Sequence, residues 1–300
     1  MANSGALDQW MTWAFSPTIS AVIVTFLITL LSPVVLHYYL YRKSASKELP
    51  SFLLLGPLGA GKTSLLTLVC TIEFANGTAS STHTSQEPQS AVCQLPPSIR
   101  SSEDQYRSEN DTSARSQPKF FLLDAPGHGK LRRHAQSSFT TVSALRGLIF
   151  VVDSAAVSSA GGLTEAAEYL HDVLLLLQKR HTQGKTSKDP QAIPVLVAAN
   201  KQDVFTSLPV GLVKSKLEGE IAKVRQTRSK GLLDSGIGME DESGADEEGN
   251  WLGEYGAKEF RFTQMEEHGV EVTTVGGNVR GEGEEKGFVS DWWTWIGENI

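Results

Sequence analysis

Three short segments carry residue types whose spacing is chemically specific. Gly56-Pro57-Leu58-Gly59-Ala60-Gly61-Lys62-Thr63, continued by Ser64, has the spacing GxxxxGK[ST]. Glycines at such a turn let main-chain N–H groups wrap phosphate oxygens at a helix N-terminus, where the helix dipole adds to the attraction. In this reading Lys62 sits on the β- and γ-phosphates and the Thr63 hydroxyl is a ligand of Mg²⁺. Downstream, Asp124-Ala125-Pro126-Gly127-His128 offers an acid that can hold Mg²⁺ and a glycine whose N–H can approach a γ-phosphate. The third segment is Asn200-Lys201-Gln202-Asp203. An aspartate accepts two hydrogen bonds from the N1–H and 2-amino group of guanine, which adenine does not supply, and a wrong base leaves that carboxylate unpaired. Asn200 is expected to tie this loop to the first, and the Lys201 stem to cover the base. The cofactors implied are GTP or GDP with Mg²⁺.

These segments acquire meaning from the elements that must carry them. Ser51 to Leu55 is an apolar strand signal ending in the glycine-rich turn, and a helical pattern follows through Ile72. Phe120 to Leu123 reads as a strand delivering Asp124, and Gly147 to Asp153 as a buried parallel strand. Thr164 to Arg180 reads as a helix, and Ile193 to Asn200 as another buried strand running into Asn200. Each segment therefore sits at a strand C-terminus, where α/β sheets bind ligands. The fold expected is an α/β P-loop GTPase with a mostly parallel six-stranded sheet and helices on both faces. Ala91 to Leu95 is the expected second strand, followed by a polar insertion at 101–117, and Asp291 opens a final helix whose tryptophans pack on the sheet.

Ahead of this domain, no charged residue lies between Asp8 and Arg42, and Thr18 to Tyr41 is long and apolar enough to cross a hydrocarbon core of about 30 Å as a helix. The segment has no basic leader and exceeds the ~7–15 residue apolar core of a signal peptide. Arg42, Lys43 and Lys47 follow it, which orients residues 1–17 outward and the linker 42–50 and the domain 51–300 toward the cytoplasm. One N-terminal transmembrane helix is thus expected before the sheet.

Composition sets outer limits. At 300 residues and 40% hydrophobic the chain can bury a core, which excludes a wholly disordered protein. The net charge of −7 disfavours nucleic acid binding through a positive field. All of that charge resides in Gly231 to Asn250, which has seven acids and no Lys or Arg, so the remainder is balanced. With no basic stripe, sequence-specific nucleic acid binding is not expected. The two cysteines, Cys70 and Cys93, are too few for a disulfide framework and lack metal spacing, so a reducing compartment is the default. His171 and His181 share no metal-like spacing with other ligands.

Taken in order, GPLGAGKT, DAPGH and NKQD resemble the small GTPases from Ser51 to Ile300. The single N-terminal span, Thr82-His83-Thr84-Ser85, the DAPGH form, Val224-Arg-Gln-Thr-Arg228, Leu252-Gly253 and Phe260-Arg-Phe-Thr-Gln-Met265 narrow this. They are similar to the signal recognition particle receptor beta subunit family. That resemblance implies a GTP-binding membrane anchor for the receptor's alpha subunit at the endoplasmic reticulum membrane, in co-translational protein targeting. The ribosome and the translocon are further partners to consider. It also implies Thr84 as the switch threonine that closes on Mg²⁺ and γ-phosphate, with Thr82 as competitor. The last guanine motif is poorly matched: with Val270 to Val275 as the strand, Thr274 and Val275 take its places. His128 stands where many small GTPases orient the attacking water, or it is simply a turn residue. The rival readings are a hydrolase of the ADP-ribosylation-factor type in vesicle traffic and a constitutive scaffold with structural GTP.

Overall fold

The computed structural model describes residue 5 and residues 19–44, 49–70, 82–102, 117–132, 144–183, 192–234, 251–280 and 288–300. The chain divides into two compact units, Met1–Glu48 and Leu49–Ile300. In the first, helix α1 (Ile19–Ser44) runs through the segment expected to span a membrane, with Pro33 inside it. Among the described residues no helix is long and apolar enough to cross a membrane. On α1 the side chains described are those of residues 22–36. Within that window Val22, Phe26, Ile28, Leu30, Val34 and Val35 are all exposed.

The second unit is built on a six-stranded sheet in the order β2-β3-β1-β4-β5-β6. In chain order the elements are β1 (Ser51–Leu55), α2 (Lys62–Cys70), β2 (Gln89–Gln94), β3 (Lys119–Asp124), β4 (Leu145–Asp153), α3 (Ala160–Gln183), β5 (Val195–Asn200), α4 (Val210–Asp234), β6 (Val272–Gly276) and α5 (Ser290–Glu298). Among the described strands only the edge strand β2 is antiparallel, to β3; the other strand pairings are parallel. Parallel strands need crossovers, and helices supply them here, covering both faces. Successive side chains of a strand point to opposite faces, and the core follows that alternation. Leu53 and Leu55 join Leu148, Phe150, Val195 and Val197 under α3 and α4. Phe52 and Leu54 join Ile149, Val151, Leu196 and Ala198 under α2 and α5. The tryptophans of α5, Trp292, Trp293 and Trp295, are buried there, as expected.

Several boundaries move. β6 begins two residues later than the apolar pattern indicates and runs one further, to Gly276. Cys93 is buried on β2. Most of the polar insertion, 103–116, and the acidic stretch 235–250 lie outside the described residues.

Candidate functional site

The glycine-rich turn has the backbone its sequence demands. Gly56, Gly59 and Gly61 have φ of 137°, 75° and 99°, a region that costs side-chain-bearing residues strain. Contacts reinforce the requirement: a Cβ on Gly56 would stand 2.1 Å from the Val151 carbonyl oxygen, and one on Gly61 would stand 2.3 Å from Asn200 Nδ2. α2 begins at Lys62, so its first-turn N–H groups have no partner within the helix and point into the turn. Pro57 and Leu58 form the tip; Leu58 is half exposed, while Ala60 is buried. Lys62 Nζ donates to the Pro57 carbonyl at 2.9 Å.

Asp124 ends β3 beside this turn because β1 and β3 pair in parallel, Leu54 opposite Asp124. Thr63 Oγ1 donates to Asp124 Oδ2 at 2.6 Å, and Asp124 Oδ1 is buried without a hydrogen-bond partner. Burial pushes the Asp124 carboxyl up, against the opposing effects of the Thr63 hydroxyl and the Lys62 charge. Burial likewise pushes the Lys62 ammonium down, with the nearby Asp124 working the other way. Opposite charges are thus held in a dry site with an orphan acceptor, the donor set that suits a hard divalent cation and a polyphosphate. A Cβ at Gly127 would meet Lys62 Nζ at 2.6 Å and the Gly56 carbonyl oxygen at 2.7 Å, so only glycine fits.

Residues 82–85 close one side. Ser64 Oγ and Thr82 Oγ1 are 2.9 Å apart, and Thr84 lines the same cleft of about 170 Å³ with Lys62, Thr63 and Gly127. Both threonines line that cleft, and Thr82 is the one bonded to the phosphate-loop helix. His128 is exposed and caps a 3-10 turn, its Nδ1 accepting from Lys130 N–H at 3.2 Å. With Nδ1 engaged in that turn, Nε2 is the ring nitrogen left to meet other groups.

At the far end of the turn, Asn200 is 2% exposed and bridges three segments. Its Nδ2 donates to the Ala60 carbonyl at 2.7 Å and its Oδ1 accepts from Val279 N–H at 3.0 Å. Lys201 adopts φ of 62°, and its Nζ reaches Asp153 Oδ2 at 2.5 Å. Asp203 Oδ1 is buried with no partner, as befits a carboxylate meant for an external donor.

Thr274 is not brought to this group. It lies inside β6 opposite Val197, and its hydroxyl is buried without a partner. The segment that meets the base loop comes later: Gly277 carbonyl accepts from Gln202 N–H at 3.2 Å, and Val279 contacts Asn200. The shift follows from the strand running to Gly276, and a Gly-Gly-Asn exit has no composition that marks it in sequence.

Sequence reasoning also missed the support on the other side of the sheet. Arg225 on α4 is 2% exposed; its guanidinium stacks 4.5 Å from the Trp251 ring and donates to the carbonyls of Leu252, Ala257 and Glu259. Gln178 on α3 donates to Trp251 carbonyl at 2.8 Å and accepts from Gly253 N–H at 2.9 Å. A more open cleft of about 630 Å³ beside Ala192, Pro194 and Glu271 lies at the N-terminal ends of β5 and β6 and holds none of the motif residues.

A phosphate-binding turn after β1, an acid after β3 and an Asn-Lys-x-Asp loop after β5 define a P-loop protein of the GTPase class. The sequence matches the signal recognition particle receptor beta subunit family over residues 47–270, and the chain belongs to that family. It is 31% identical to the receptor subunit beta of Saccharomyces cerevisiae over 252 residues, 84% of each chain. The human subunit is 30% identical over 83% of this chain and 75% of its own length. Among solved structures, the receptor SRb-GTP/SRX complex from Chaetomium thermophilum is 37% identical, with a TM-score of 0.63 over 84% of this chain and 100% of that one. A second structure from that organism, titled SRb-GDP-Mg, is 38% identical with a TM-score of 0.59, covering 85% and 100%. The vesicle-traffic alternative is not favoured by these relatives.

Proposed function

We propose that this chain is the GTP-binding beta subunit of the signal recognition particle receptor, holding the alpha subunit at the endoplasmic reticulum membrane for co-translational targeting. The observation that carries it is the Asn200 bridge: one buried amide joins the phosphate turn at Ala60 to the base loop and to Val279, beside an Asp203 carboxylate oxygen awaiting a partner. In this reading Gly56 to Ser64 cradle GTP or GDP, Asp203 reads guanine, and Thr63 and Asp124 hold Mg²⁺, with Thr84 joining them. Bound Mg²⁺ would neutralise phosphate charge and order the oxygens around it. Lys62 supplies a fixed positive charge to the phosphates, and Gly127 offers its N–H. His128 caps its own turn through Nδ1, which leaves its Nε2 edge as the side that could face an attacking water.

Relatives titled as complexes with GTP, GDP-Mg and SRX support the ligand and partner assignments. The anchor assignment rests on sequence and chemistry. Thr25 Oγ1 donates to Val22 carbonyl at 3.0 Å and Thr29 Oγ1 to Thr25 carbonyl at 2.7 Å, so the hydroxyls are satisfied inside α1 without water. We assign residues 18–41 as a single pass with the GTPase domain, 51–300, cytoplasmic.

The test uses the full-length chain in detergent. Fluorescent GDP should bind and be displaced by GTP but not by ATP, and Asp203→Ala should abolish the discrimination; equal displacement by ATP overturns the reading. Thr63→Asn should lose the alpha subunit from detergent-solubilised microsomes, and undiminished capture sinks the GTP-dependent part. Alkaline carbonate should leave the chain in the membrane pellet; release into the supernatant refutes the span.

A further inference from the structure

We infer that Asp153, the last residue of β4, is a positioning residue for guanine nucleotide binding that acts through Lys201. The inference deepens the function proposed above and rests on it. β4 and β5 pair in parallel, with Asp153 opposite Asn200, so the end of β4 lies beside the base loop along its length. The two strand exits are sewn together: Ser154 N–H donates to Asn200 carbonyl at 3.0 Å, and Gln202 Nε2 donates to Ser154 Oγ at 2.7 Å.

The Asp153 carboxylate is fixed from behind. Its Oδ1 accepts from Ala155 N–H at 2.9 Å and Ala156 N–H at 3.1 Å, which spends one oxygen on the turn and aims the other outward. That second oxygen, Oδ2, takes Lys201 Nζ at 2.5 Å. The acid side chain is 16% exposed and the lysine 39%, so this is not a fully solvated pair. A lysine stem is flexible, and ordering it at the moment of binding costs entropy. Tethering the ammonium while the backbone sits at φ of 62° holds the four-carbon stem as a pre-formed apolar lid for a base. Base identity is left to Asp203, which does not share this network.

The experiment measures GDP dissociation from the full chain in detergent for wild type, Asp153→Asn, Lys201→Met and the double variant, with melts of each nucleotide-free protein. The asparagine still accepts from the Ala155 and Ala156 N–H groups, so only the charge toward Lys201 is lost. Asp153→Asn and Lys201→Met should each speed dissociation about tenfold, and the double variant should release GDP no faster than Lys201→Met alone. Preference for GDP over inosine diphosphate, which lacks the 2-amino group, should stay at the wild-type value in all three. Multiplying effects in the double variant, or a wild-type rate for Asp153→Asn, overturns the inference while leaving the proposed function standing. A melt lowered in Asp153→Asn but not in Lys201→Met assigns the residue to turn capping alone and also overturns it. A wild-type chain that binds no GDP overturns both.

Discussion

Asn200→Asp replaces one amide nitrogen by oxygen at constant volume and turns a donor into an acceptor. The hydrogen bond from Val279 N–H to Oδ1 survives, but the 2.7 Å donation to the Ala60 carbonyl does not. A buried carbonyl left without a donor costs about 1–3 kcal/mol, and a carboxylate pressed against it at a site 2% exposed adds a further desolvation penalty. The combined cost is about 3–5 kcal/mol, shared between fold stability and the placement of the phosphate turn. If 3 kcal/mol falls on the nucleotide-competent geometry, GDP affinity drops by about 10²-fold. The pH dependence fixes the mechanism. The introduced carboxyl has its folded pKa raised by burial, and its neutral form can donate to Ala60. Stability is therefore present below the ordinary carboxyl range and is lost as pH rises through the raised value. The deficit relative to wild type should be smaller at pH 5 than at pH 8, in both thermal melts and GDP dissociation rates. GDP release within threefold of wild type, or a deficit that does not change with pH, would refute the bridging role of Asn200.

Asp124→Asn removes a carboxyl whose raised pKa makes its charged form a burden above that value, so the nucleotide-free protein should melt no lower than wild type at pH 7. The gain in melting temperature that Mg²⁺ adds to GDP should vanish, which melts with and without chelator will report. Gly56→Ala places a methyl 2.1 Å from the Val151 carbonyl oxygen at φ of 137°, and should cost about 3 kcal/mol or more, read as lost soluble yield and a lowered denaturant midpoint. Arg225→Met keeps the bulk but leaves the carbonyls of Leu252, Ala257 and Glu259 without their donor. It should destabilise by about 3 kcal/mol and expose 251–260 to limited proteolysis, while GDP dissociation stays near wild type.

The same residues explain what could be read in advance. The phosphate turn was legible because its chemistry is local: glycines are required by backbone angles and close approach at Gly56 and Gly61, and those needs are written into eight consecutive residues. Asp124 and Asn200 were legible because each follows an apolar strand, and strand ends are where parallel sheets present side chains. Thr274 failed because the guanine-side loop is set by where β6 stops pairing with β5. An apolar pattern marks a strand's existence better than its end, and Gly276-Gly277-Asn278 carries no chemical signature. Arg225 was visible only as part of the Val224–Arg228 resemblance; its role and that of Gln178 stayed hidden because their partners are main-chain carbonyls and amides of a distant loop, groups every residue has.

The sequence by itself determined the chemistry on offer: a phosphate cradle, an acid for a metal, a carboxylate for guanine, and an apolar N-terminal stretch ahead of them. Those features depend on residue type at short range, where covalent spacing keeps groups in order. Only the tertiary structure decided which residues meet. Parallel pairing of β1 with β3 and β4, and of β4 with β5, brings Thr63 to Asp124, Asn200 to Ala60 and Asp153 to Lys201 across separations of 61, 140 and 48 residues. Register decides such contacts, because a shift of one residue turns every side chain to the opposite face.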